Sequence, residues 1–133
     1  MAYIGKTYKF QKDENFREFL AHLGVPADKV EYLLTSKPSQ KLEKDGDNYT
    51  LTTIDGSTKE MKFKEGVEFD ESITPEITAK TTFTVSGNVV TQVQKFEDGR
   101  SITLKREYSD DQLVVEITTT GWDGVARRYY AAV

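Results

Sequence analysis

The chain has no cysteine, a single histidine and no long apolar run, and each absence removes a class of function. Without thiols there is no disulfide framework, no thiolate nucleophile and no cysteine-type zinc site. The lone His22 falls on a helical segment with no serine in a nucleophile-elbow context to activate. Acid pairs such as Asp110-Asp111 sit in turn sequences, where acids are usual, and nothing has metal-ligand spacing. The expectation is a protein that is not an enzyme and needs neither metal nor cofactor. Nowhere do about 18 apolar residues run together, as a spanning helix would require. The opening MAYIGKTYKFQK has no signal-peptide core, Ala2 stands where myristoylation needs glycine, and the last residues form no prenylation box. A cytoplasmic location with only peripheral membrane contact is therefore expected. An excess of positive charge is also lacking: 18 Lys and Arg against 22 Asp and Glu give a net charge of −4, which argues against a nucleic-acid partner.

What is present suits one globular domain spanning 1–133, because this length supports one complete core and not two. Phe16, Phe19, Leu20 and Leu23 recur at i, i+3, i+4 and i+7, and Gly24 follows as a stop signal. A second helix runs from Ala27, after Pro26, to Ser36, with Val30, Leu33 and Leu34 on one face and Lys37-Pro38 beyond its end. Together they predict a helix-turn-helix over about 14–36. From Ser39 the period falls to two and turn residues recur at short intervals, as in Asp45-Gly46-Asp47-Asn48, Asp55-Gly56, Ser86-Gly87-Asn88 and Asp98-Gly99. The predicted strands lie at about 6–12, 39–45, 48–54, 58–65, 67–73, 77–86, 89–97, 100–109, 112–119 and 122–131. Ten short hairpin-linked strands hide their edges best by closing. The fold class is all-β: a ten-stranded antiparallel up-and-down β-barrel, or β-clam, capped at one mouth by the helix-turn-helix lid.

Alternation then assigns faces. In 101–108 the inward positions are Ile102, Leu104, Arg106 and Tyr108. In the last strand Trp122, Gly124, Ala126, Arg128 and Tyr130 share one face, with Arg127 and Tyr129 on the other. Trp122 is expected in the barrel wall or bottom. An inward guanidinium cannot neutralise itself, so it needs an anion or a dense set of hydrogen bonds. Arg106, Arg128 and Tyr130 would offer charge-assisted donors to a carboxylate, while Leu104, Leu113, Val115 and Ile117 supply apolar wall for a hydrocarbon tail.

Several segments carry a resemblance. They are Asn15-Phe16 through Leu23-Gly24-Val25, Lys37-Pro38, the run FKEGVEFDE at 63–71, Val93-Gln94-Lys95-Phe96, Lys105-Arg106-Glu107 and the closing Arg128-Tyr129-Tyr130. In these the chain resembles the intracellular lipid-binding protein family, and its ending WDGVARRYYAAV looks like that of insect midgut fatty-acid-binding members. The resemblance implies intracellular binding and transport of long-chain fatty acids, one held non-covalently by its carboxylate, with retinoic acid or another hydrophobic acid as the alternative ligand. It implies binding by Arg106, Arg128 and Tyr130, with Phe16, Leu20, Leu33, Leu104, Val115 and Ile117 lining the cavity or portal. It further implies a monomer whose helical lid touches membranes transiently, for which Lys29, Lys37 and Lys41 offer a weak basic patch. The chain departs from the family pattern at Tyr8, where tryptophan is usual, and at Ala27, Val30 and Gly56 around the portal.

Overall fold

The computed structural model describes residues 2–74 and 76–133. Strand β1 (Thr7–Glu14) leads into helices α1 (Phe16–His22) and α2 (Ala27–Thr35). Nine strands follow: β2 (Ser39–Asp45), β3 (Asn48–Asp55), β4 (Ser57–Lys64), β5 (Phe69–Thr74), β6 (Ile77–Ser86), β7 (Val89–Lys95), β8 (Ser101–Tyr108), β9 (Gln112–Thr119) and β10 (Ala126–Ala132). All neighbours pair antiparallel in the order β4-β3-β2-β1-β10-β9-β8-β7-β6-β5, so β1 joins the last strand and the sheet curls almost into a ring. The all-β barrel with a helical lid is thus as expected.

The two ends of the sheet, β4 and β5, are held by side chains rather than by a ladder. Phe63 of β4 stacks on Phe83 of β6 with ring centroids 3.9 Å apart. Tyr49 of β3 and Phe69 of β5 extend that stack to either side, at 5.1 and 6.1 Å. The Glu65 carboxylate accepts from the Val85 N–H at 2.9 Å, and the Gly66 N–H donates to the Phe83 carbonyl. The exposed edges are thereby closed with aromatic surface, which contributes through burial and ring geometry together.

α1 ends in a Schellman motif. The Val25 N–H returns to the Leu20 carbonyl and the Gly24 N–H to Ala21, which requires Gly24 at φ 76°. Its start is tied differently from a side-chain cap. Asn15, itself left-handed at φ 57°, donates from Nδ2 to the Val125 carbonyl just before β10. Phe16, Phe19 and Leu20 turn into the core, as the spacing predicts. The closed end is packed with tyrosine. Tyr8 is fully buried, its ring edge-on to Tyr108 and its hydroxyl donating to Ser109 O, and Tyr3 stacks on Tyr108 at 4.3 Å.

Two expectations need correction. β10 begins at Ala126 rather than near 122, and Trp122 belongs to neither the wall nor the bottom. Residues 120–125 leave the sheet at the lid end and wrap the indole, which lies against Phe19 and His22 of α1 at centroid distances of 5.8 and 6.2 Å. Gly124 allows this, because a Cβ there would sit 2.4 Å from the indole ring. β1 also runs on to Glu14, past a bulge between Phe10 and Lys12 that reverses which residues face inward.

Candidate ligand-binding site

Register lays the inward residues of β8, β9 and β10 in four layers. Nearest the lid are Ile102 and Thr119; then come Leu104, Ile117 and Ala126, followed by Arg106, Val115 and Arg128; deepest are Tyr108, Leu113 and Tyr130, with Phe10 of β1 beside the last. The two arginines therefore share one layer with Val115 between them, two strand spacings or about 10 Å apart along the sheet. Their neighbours on the outer face confirm the alternation: Arg127 pairs with Glu116 at 3.3 Å, and the Tyr129 hydroxyl bonds the Glu14 carboxylate.

Although they share a layer, the arginines stand in different surroundings. Arg106 is 7% exposed and has hydrogen-bond partners: Nη1 donates to Gln92 Oε1 at 2.9 Å, and Nε to Gln40 Oε1 at 3.4 Å. Burial pushes its pKa down, opposed by Tyr108, Tyr130 and Glu71. The same desolvation raises the Tyr108 hydroxyl to about 12. Beyond Gln92 the network continues to Glu71 on β5. Its Oε1 accepts from Thr81 Oγ1 at 2.8 Å, Gln92 Nε2 at 2.9 Å and Gln94 Nε2 at 3.1 Å. The Gln92 amide thus points its oxygen at a cation and its nitrogen at an anion.

Arg128 has aromatic neighbours instead. Its guanidinium carbon lies 4.4 Å from the ring centres of both Phe10 and Phe16 and 6.0 Å from that of Tyr130. Nε and Nη2 are buried without a hydrogen-bond partner among the described residues. Cation–π contact with two rings offsets part of the cost of desolvating the charge, but it leaves in-plane donors unsatisfied, and buried orphan donors are rare in folded proteins. Because Phe16 belongs to α1, the lid helix forms one wall of the Arg128 site. Tyr130 is buried edge-on to Phe10 at 5.6 Å.

Of the residues expected to line the interior, Phe16, Leu20, Val115 and Ile117 are buried in the core, while Leu33 and Leu104 pack against it half-buried. Gln40, Glu71, Thr81, Gln92, Gln94 and Phe10 also belong to the interior, and the expected lining does not include them. A signal was present for the glutamines. Val90, Gln92 and Gln94 alternate on one face of β7, so two amides share the inward side with a valine. Glu71 lay beyond such reasoning, since its strand is short and its partners come from β6 and β7.

Comparison with known proteins bears on this interior. The model of the lipocalin and cytosolic fatty-acid-binding protein family matches residues 5–124. Fatty acid-binding protein 2 of Manduca sexta is 48% identical over 133 residues, covering 99% of this chain and all of that one. A crystal structure of the fatty-acid-binding protein isolated from Manduca sexta superposes with a TM-score of 0.89 at 49% identity, covering 98% of this chain and 99% of that one. A Schistosoma mansoni fatty-acid-binding protein in complex with arachidonic acid gives the same TM-score at 25% identity, with 99% of this chain and 96% of that one covered.

Proposed function

Because the chain belongs to the lipocalin and cytosolic fatty-acid-binding protein family, we propose that it binds one long-chain fatty acid non-covalently inside the barrel and carries it through the cytoplasm. The observation that carries this reading is the Arg128 guanidinium, held between Phe10 and Phe16 with Nε and Nη2 buried and unpartnered among the described residues. A carboxylate is the natural complement. It is planar, accepts two parallel N–H bonds from a guanidinium, and needs only one such edge to be satisfied. The Tyr130 hydroxyl, a short step deeper in the same strand, supplies a further donor, and Arg106 adds positive potential from the same layer. The hydrocarbon tail then lies on Leu104, Val115 and Ile117 and reaches the portal side past Phe16, Leu20 and Leu33. Each methylene removed from water contributes roughly 0.8 kcal/mol, so the tail supplies most of the affinity while the polar layer fixes orientation.

This is a binding and delivery role, as befits a family of carriers rather than enzymes. The protein acts as a single-domain monomer, needs no cofactor, and makes transient membrane contact through the lid. There Lys29 and Lys37 are exposed, whereas Lys41 is partly offset by Glu43 at 3.6 Å. Purifying the protein, denaturing it and identifying the released lipid by mass spectrometry tests the reading directly. A long-chain fatty acid at about one per chain is expected. Release of retinoic acid, or of neutral lipid only, would replace this reading.

A further inference from the structure

The polar cluster on the wall of β5 to β7 is not used by the carboxylate site just described, yet it is built with care. Glu71 is half-buried, and its Oε1 gathers three donors from Thr81, Gln92 and Gln94, side chains whose residues are 0%, 2% and 9% exposed. Holding a carboxylate inside a barrel is costly, and hydrophobic residues would fill that wall at lower cost. One feature of the arrangement indicates what the charge does: Gln92 joins Glu71 to Arg106 through a single amide, so the anion and the cation polarise the same group from opposite sides. Among the described residues the charged side chains that interact within the ligand layer are Arg106, Arg128 and Glu71. Asp13 lies opposite Arg128 in the register but makes no ion pair with it among the described residues; its charge acts on Arg17 of α1, at the mouth.

We propose that Glu71, linked to Arg106 through Gln92, is the barrel's internal counter-ion and sets the charge of the headgroup it accepts: singly charged anions are admitted and doubly charged ones are rejected. The inference rests on the carboxylate reading above. Two guanidiniums and one carboxylate leave a surplus of one positive charge, which a monoanion neutralises. A dianion would leave an excess negative charge beside Glu71 in a site of low dielectric. Without Glu71 the same pair of arginines would suit a dianion better.

The test uses hexadecyl phosphate and hexadecyl sulfonate, titrated calorimetrically between pH 5 and pH 7.5. The phosphate gains its second charge near pH 6, whereas the sulfonate stays singly charged throughout. In the unmodified protein the phosphate affinity is expected to fall about tenfold or more across this range, following the loss of its monoanion fraction, with the sulfonate affinity level. The sulfonate arm reports any change in the protein itself over this range. Glu71→Gln keeps an oxygen for the three donors and removes only the charge. In it the fall should vanish, and the ratio of phosphate to sulfonate affinity at pH 7.5 should rise about tenfold. A structural role alone would weaken both ligands equally. The proposal is overturned if the unmodified protein binds phosphate equally well at both ends of the range, or if Glu71→Gln retains the fall. If the variant does not fold, the unmodified protein still decides. Failure of palmitate, sulfonate and phosphate alike to bind would remove the carboxylate reading and this inference with it, whereas palmitate binding with no discrimination removes this inference alone.

Discussion

At the scale of single residues, the two inward arginines carry the same charge and differ in what surrounds them. Arg106 is hydrogen-bonded by Gln92 and Gln40, whereas Arg128 is stacked between rings with donors unused. Replacing Arg128 by alanine should weaken binding of a fluorescent fatty acid by roughly ten- to a hundredfold, the worth of charge-assisted hydrogen bonds lost in a dry site. Arg106→Ala should also weaken it, and circular dichroism of both variants should show an intact barrel. Unchanged affinity in both would refute the assignment. Tyr108 gives a different kind of prediction. Its hydroxyl stays protonated to about pH 12 in the folded protein but ionises near 10 when unfolded, so folding binds the proton more tightly. The stability this represents is present in full below pH 10 and is lost as pH rises towards 12, a total of about 3 kcal/mol. Thermal melting followed from pH 9 to pH 12 should show a loss that is smaller in Tyr108→Phe.

At the scale of elements, the sequence period located all ten strands and both helices, and what it misplaced has local causes. Alternation places the lid-side end of β10 four residues too early because Trp122 and Gly124 keep the alternation of the strand without being in it. Packing of the indole on α1 decides the matter, and only the folded chain contains that surface. Gly124→Ala places a Cβ against the indole and should destabilise the protein by about 1–3 kcal/mol, with the tryptophan emission shifting red as the ring is displaced. The bulge in β1 has no mark in the sequence, and it decides that Asp13 rather than Lys12 lies opposite Arg128 in the register. The seam between β4 and β5 is a second element-scale dependence. Phe63→Ala removes the ring that joins Tyr49 to Phe83 and should cost about 3–5 kcal/mol in urea unfolding, more than truncation of the half-buried Leu104.

For the whole molecule, lid, polar layer and apolar wall form one interior, so ligand and fold are thermodynamically linked. A fatty acid at a hundred times its Kd should stabilise the barrel by about 2.7 kcal/mol, visible as a raised Tm that disappears when Arg128 and Tyr130 are both replaced. The amino-acid sequence by itself determined the broad features. The period of two with recurrent turns determined the barrel, and strand parity placed Arg106, Arg128 and Tyr130 on one inner face. Each of these is a local property, carried by residue type and spacing along the chain. Tertiary structure alone decided that Phe16 of the lid stacks on Arg128, that Trp122 braces α1, and that Gln92 joins Arg106 to Glu71. Those contacts join residues 14 to 112 positions apart, and their partners are chosen by how the strands and the lid pack rather than by any pattern in the sequence.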